Sequence, residues 1–225
     1  MPLSDRTVRI PPLQLAADLR MPAHPRGLVI FAHGSGSSRF SPRNQSVAIA
    51  LGDAGYATLL LDLLTEREAD DRANVFDVDL LGARLVDAID WACARSELKD
   101  TPIGLFGAST GAAAALKAAA ARPGQVRCVI SRGGRPDLAA DVLGQVGAPT
   151  LLIVGGRDES VLSWNREAGR RLANPAQVEV IPGATHLFEE AGALDQVVRL
   201  AIDWCNRHLT VKAPGAVRAG GRDAG

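Results

Sequence analysis

Short, mostly apolar runs recur along the chain at 28–32 (LVIFA), 57–61 (ATLLL), 126–130 (VRCVI) and 150–154 (TLLIV). Each has the length of a strand, and successive apolar positions are what a strand covered on both faces requires. Shorter runs at 103–106 and 178–181 read the same way. Between them the spacing becomes helical. Residues 77–95 carry Leu81, Leu85, Ala88, Ile89 and Ala92 at helical intervals, and residues 193–207 gather Leu194, Val197, Val198, Ala201, Ile202 and Cys205 on one face. Further helices are predicted over 44–54, 112–121 and 162–172, with a short one around 138–143. Residues 7–21 alternate loosely around Pro11-Pro12, which predicts an antiparallel strand pair or sheet edge. The polar, charged stretch 63–74 reads as a surface loop.

Strand and helix alternate strictly, and this predicts an α/β fold built on an open, mostly parallel, doubly wound sheet with helices on both faces. Every connection is short, so residues 1–209 are expected to form a single domain. The segment 210–225 has little apolar content and is expected to be a disordered tail.

Composition adds exclusions. Apolar residues make up 47% and charged residues 22% of the 225, and the formal net charge is zero, so no global field favours nucleic acid or an anionic membrane. No stretch approaches the ~18 apolar residues of a membrane span, and the first twenty residues lack the apolar core of a secretory signal. The three cysteines (Cys93, Cys128, Cys205) are odd in number, lack C-x-x-C spacing, and read as buried free thiols in a reducing compartment. A cytoplasmic protein acting on a small molecule is the expectation. Composition says nothing of its oligomeric state.

Candidate chemistry centres on residues 101–115, TPIGLFGASTGAAAA. An apolar strand stops at Gly107, an alanine-rich helix follows, and Gly107-Ala108-Ser109-Thr110-Gly111 between them fits G-x-S-x-G. On a sharp strand-to-helix turn the serine hydroxyl is exposed, and the flanking glycines leave room for neighbouring backbone. Ser109 is therefore the candidate nucleophile.

A serine hydroxyl needs a base. Of the four histidines, His24 lies in an early turn, His208 ends the last helix, and His33 ends a core strand with its ring expected under the next loop. His186 follows the last strand and is the candidate base by elimination and placement. Asp158 ends the penultimate strand, and the order Ser109, Asp158, His186 is the one this sheet type shows. Asp137 and Glu159 compete for the acidic role. A developing oxyanion needs backbone N–H donors: Thr110 supplies one, and the loop after the first buried strand supplies the other, at Ser35 or at Gly36. Arg39, Arg132 and Arg135 lie in loops at strand ends. They either bind a carboxylate or phosphate of the substrate or pair with Asp62, Glu66, Asp137 or Glu159. His33-Gly34-Ser35-Gly36-Ser37-Ser38 is not a nucleotide fingerprint, because Arg39 stands where the third glycine would be. No cofactor is expected, and no residue spacing suits a metal.

Taken with these groups, HGSGSSRFSPRN, LLLDLLT, GLFGASTGAAAAL, SRGGRPDLA and GATHLFEE resemble the α/β-hydrolase superfamily over residues 7–209, and more narrowly its dienelactone hydrolase-like branch. The resemblance implies an eight-stranded-type sheet with an antiparallel N-terminal edge and an acyl-enzyme mechanism. Dienelactone hydrolases proper use cysteine where this chain has Ser109, so lactone specificity does not carry over. Fewer than twenty residues join the strands ending at 130 and starting at 150, too few for the helical cap domain that many relatives insert. The expected activity is hydrolysis of an ester or thioester of small to medium size. Acyl transfer by the same residues and non-catalytic ligand binding are the alternatives.

Overall fold

The computed structural model describes residues 4–209, so the expected tail at 210–225 lies outside the described residues. Strands β3 (Leu28–Ala32), β4 (Ala57–Leu61), β5 (Ile103–Ala108) and β7 (Thr150–Gly155) are buried at every position, as their unbroken apolar runs demand. With β1 (Ser4–Ile10), β2 (Leu15–Met21), β6 (Val126–Arg132) and β8 (Gln177–Ile181) they form one eight-stranded sheet in the order β1-β2-β4-β3-β5-β6-β7-β8. The pairs β1/β2 and β2/β4 are antiparallel. From β4 to β8 all neighbours are parallel. The Pro11-Pro12 segment turns the N-terminal hairpin at the sheet edge, where missing N–H donors cost no ladder bonds.

Helices α4 (Val78–Cys93), α5 (Thr110–Ala121) and α6 (Glu159–Arg171) cover one face of the sheet, and α1 (Pro42–Asp53) and α7 (Ala193–His208) cover the other. The alanines of α5 do more than favour a helix: Ala112 to Ala115, Ala118 and Ala119 are all buried. A helix enclosed on all sides needs small side chains if its neighbours are to approach. α4 uses that space, with Gly82 packed against the Lys117 side chain.

The structure corrects several expectations. Residues 63–74 are not an irregular loop but carry α2 (Glu66–Ala69) and most of α3 (Arg72–Phe76). The Thr65 hydroxyl accepts from Glu68 N–H while the Glu68 carboxylate accepts from Thr65 N–H, a capping box that starts α2; Asp71 caps α3. Elements this short show no periodicity, so their signal lay in the caps. β6 runs on to Arg132 because Ser131 and Arg132 are buried despite their polarity. The short helix near 138–143 resolves into 3₁₀ turns at Pro136–Ala139 and Leu143–Gln145. Cys93 is exposed at the end of α4, whereas Cys128 and Cys205 are buried as expected. Among the described residues no helix is long and apolar enough to cross a membrane.

Candidate active site

The turn from β5 into α5 holds Ser109 at φ +52°, ψ −122°, in a region that L-residues avoid at a cost of about 1–3 kcal/mol. Backbone bonds keep it there. Ser109 N–H donates to the Arg132 carbonyl (3.2 Å), and the Ser109 carbonyl accepts from Ala112 N–H (3.0 Å) and Arg135 N–H (3.1 Å). The two glycines of the motif are steric necessities. A Cβ on Gly107 would stand 2.4 Å from Ala112 Cα, and one on Gly111 would stand 2.4 Å from the Ala32 carbonyl oxygen. The Ser109 hydroxyl makes no hydrogen bond among the described residues, and its residue is partly exposed.

Asp158 follows β7 and begins α6, yet its side chain does not cap that helix. Its Oδ2 instead lies 2.7 Å from His186 Nδ1, across the turns that follow β7 and β8. The two turns interlock closely: a Cβ on Gly155 would sit 2.5 Å from the Ala184 carbonyl oxygen. Thr185 N–H donates to Glu190 Oε1 at 3.1 Å, which braces the histidine loop. With Nδ1 committed to Asp158, the Nε2 edge of His186 is left for other chemistry. The segment after β6 links this pair to Ser109. The Cβ site of Gly133 is 3.5 Å from His186 Cε1, while its neighbour Arg132 takes the Ser109 amide. Ser109, His186 and Asp158 therefore occupy adjoining turns at the carboxyl ends of β5, β8 and β7. The competing Asp137 is bound to Arg135 (2.7 Å), and Glu159 is exposed on the first turn of α6.

The loop after β3 lies at the same end of the sheet. Gly34 is so close to the nucleophile that a Cβ there would be 3.1 Å from Ser109 Cβ. The Ser35 amide, expected as an oxyanion donor, does not point into open space: it donates to Thr110 Oγ1 at 2.9 Å. A threonine hydroxyl at the helix start reaches the loop, a pairing across 75 residues that no local pattern announces. The amides of Gly36 and Thr110 donate to no group among the described residues. Such first-turn N–H groups as that of Thr110 lack an intrahelical partner by construction. The same loop and the segment bearing Leu64, Ala69, Val75 and Leu81 enclose a cavity of about 400 Å³, so α2 and α3 form a wall beside the site.

The arginines separate by role. Arg39 bonds Asp62 through its guanidinium and also through its backbone N–H (2.8 Å), with Asp18 3.3 Å away and Phe40 under its plane. Arg135 is held by Asp137 and stacks on Trp164. Both are structural ion pairs. Arg132 differs: it is 7% exposed, Nη2 donates to Asn44 Oδ1 (3.2 Å), and Nε has no acceptor among the described residues. Burial, and then the nearby Arg43, bring its pKa down to about 10, so it stays charged at neutral pH without a carboxylate partner. No cluster of three or more His, Cys, Asp or Glu side chains suited to a metal occurs among the described residues.

Comparison with known proteins agrees with this architecture. The model of the dienelactone hydrolase family matches residues 15–201. A dienelactone hydrolase from Anabaena variabilis superposes with a TM-score of 0.88 at 48% identity, covering 92% of this chain and 98% of that one. Est1E from Butyrivibrio proteoclasticus shares the fold with a TM-score of 0.76 at 18% identity, covering 90% of this chain and 98% of its own. Curated relatives from two strains of Mycobacterium tuberculosis, each named a putative phosphoribosyl transferase, are 55% identical over 215 residues. That match takes in 95% of this chain and 48% of each relative, so the chain spans about half their length.

Proposed function

The chain belongs to the dienelactone hydrolase family of the α/β-hydrolase superfamily, and we propose that it is a serine hydrolase cleaving a carboxylic ester or thioester of small to medium size. The observation that carries the reading is the 2.7 Å bond between Asp158 and His186, made in the loops that adjoin a strained, partly exposed Ser109. A carboxylate left uncapped at the start of α6 and turned instead to an imidazole is an arrangement suited to orienting a base.

In this mechanism His186 Nε2 takes the proton from Ser109 Oγ as the oxygen attacks the substrate carbonyl carbon. Asp158 fixes the Nδ1–H tautomer and stabilises the imidazolium. Negative charge gathers on the former carbonyl oxygen, where the Thr110 amide and the Ser35–Gly36 loop are proposed to receive it. His186 then gives its proton to the departing alcohol or thiol. Water attacks the acyl-serine by the same proton route and releases the acid. Arg132, which has no carboxylate partner among the described residues, is the proposed contact for an anionic group on the substrate, whereas Arg39 is held by Asp62 and Asp18.

Intact mass after exposure to a fluorophosphonate probe tests the reading. One adduct on the wild type and none on Ser109→Ala is expected, together with loss of ester turnover by at least about 10³-fold in the variant. Equal turnover by wild type and variant would refute the assignment. A wild type that takes no adduct, turns over no ester and yet is stabilised by a ligand would be the non-catalytic binding protein.

A further inference from the structure

Thr110 carries two hydrogen-bond donors beside the nucleophile, and neither has an acceptor among the described residues. Its amide is an orphan of the first turn of α5. Its hydroxyl receives Ser35 N–H at 2.9 Å, which uses a lone pair and leaves the Oγ1 proton unassigned among the described residues. A hydroxyl accepts and donates at once, so the Ser35 bond does not consume the donor; it fixes where the oxygen sits. The residue is only 4% exposed, and a buried donor is costly to leave without an acceptor.

We propose that the Thr110 hydroxyl is itself an oxyanion donor, acting with the Thr110 amide, and that the Ser35 amide serves to hold and polarise that hydroxyl. This rests on the serine-hydrolase reading and changes the composition of its oxyanion site. As the tetrahedral intermediate forms, the C=O bond becomes a C–O⁻ single bond, and the oxyanion accepts from Thr110 N–H and Thr110 Oγ1–H without taking either proton. The chain Ser35 N–H to Oγ1 to oxyanion strengthens along its length, because a hydroxyl whose lone pair is engaged is a better donor. Thr110 thus becomes a catalytic residue through its side chain.

Thr110→Val keeps the shape and deletes the hydroxyl; Thr110→Ser restores it. On a p-nitrophenyl acetate assay, Thr110→Val is expected to lose about 10²-fold in kcat with KM little changed, and Thr110→Ser to recover to within about tenfold of wild type. Affinity for a trifluoromethyl ketone, whose hemiketal oxyanion mimics the intermediate, should weaken by the same factor as kcat/KM falls in each variant. A merely structural hydroxyl would not produce that proportionality. Should Thr110→Val retain kcat to within about threefold, or become faster because Oγ1 had been obstructing the Ser35 amide, the proposal is overturned. Failure of Thr110→Ser to recover turnover overturns it as well. A wild type showing no Ser109-dependent turnover removes the hydrolase reading and this inference together, whereas normal wild-type turnover with an indifferent Thr110→Val removes the inference only.

Discussion

His33 ends β3 with both ring nitrogens committed to backbone. Nδ1–H donates to the Gly34 carbonyl (2.9 Å), and Nε2 accepts from Leu63 N–H (3.2 Å). An amide can only donate, so Nε2 must be bare and the ring neutral. The ring therefore ties the start of the Gly34–Gly36 loop to the end of β4, and protonation would set N–H against N–H. Burial accordingly lowers its pKa below 6.5, against smaller opposing pulls from the Gly34 carbonyl and Asp62. A histidine depressed in the folded state is protonated first in the unfolded chain. Stability should thus fall as pH drops below 6.5 and stop falling once the folded form also titrates. His208, lowered by burial and then by Arg207, adds a contribution of the same sign. Urea unfolding of wild type and His33→Gln across about pH 5 to 8 checks this: the variant should be less stable at neutral pH and should show a shallower acid limb. An acid limb unchanged in the variant would mean that other groups set it.

At the scale of elements, α2 and α3 wall the cavity beside the Ser35 loop. Neither helix was legible, since each is too short for periodicity and its polar residues read equally well as loop. The capping pairs were present in the sequence as Thr65 with Glu68 and as Asp71, and they were the only local signal. Glu68 is further anchored by Arg84 from α4 at 2.8 Å, a pairing across 16 residues. Long strands and helices were read to within about three residues because burial on two faces or one leaves a periodic record. If the acyl chain of the substrate occupies this cavity, Val75→Trp should shorten it. Its kcat/KM for octanoyl esters should fall about tenfold relative to acetyl esters, as measured across a p-nitrophenyl ester series. A chain-length profile identical to wild type would place the acyl group elsewhere.

For the molecule as a whole, one continuous sheet supplies the frame, and its two apolar layers are sealed by α4–α6 on one face and α1 and α7 on the other. The doubly wound arrangement could be read from the sequence because such a sheet makes its strands apolar throughout. Ser109, Asp158 and His186 stood out as candidates on the same ground, because ligands meet these sheets at the carboxyl ends of strands and each lies within five residues of one. What stayed hidden were partnerships between polar groups far apart in the chain. Arg132 meets Asn44 across 88 residues and Ser35 meets Thr110 across 75, and neither pairing has a local pattern. These long-range bonds tie α1 to β6 and the loop after β3 to α5, so the site should persist only as long as the sheet does. On heating, loss of fluorophosphonate labelling and loss of near-ultraviolet circular dichroism should then follow one transition with a common midpoint. Labelling lost well below the melting of the sheet would show instead that the loops open first, as a less stable unit carried on an intact core.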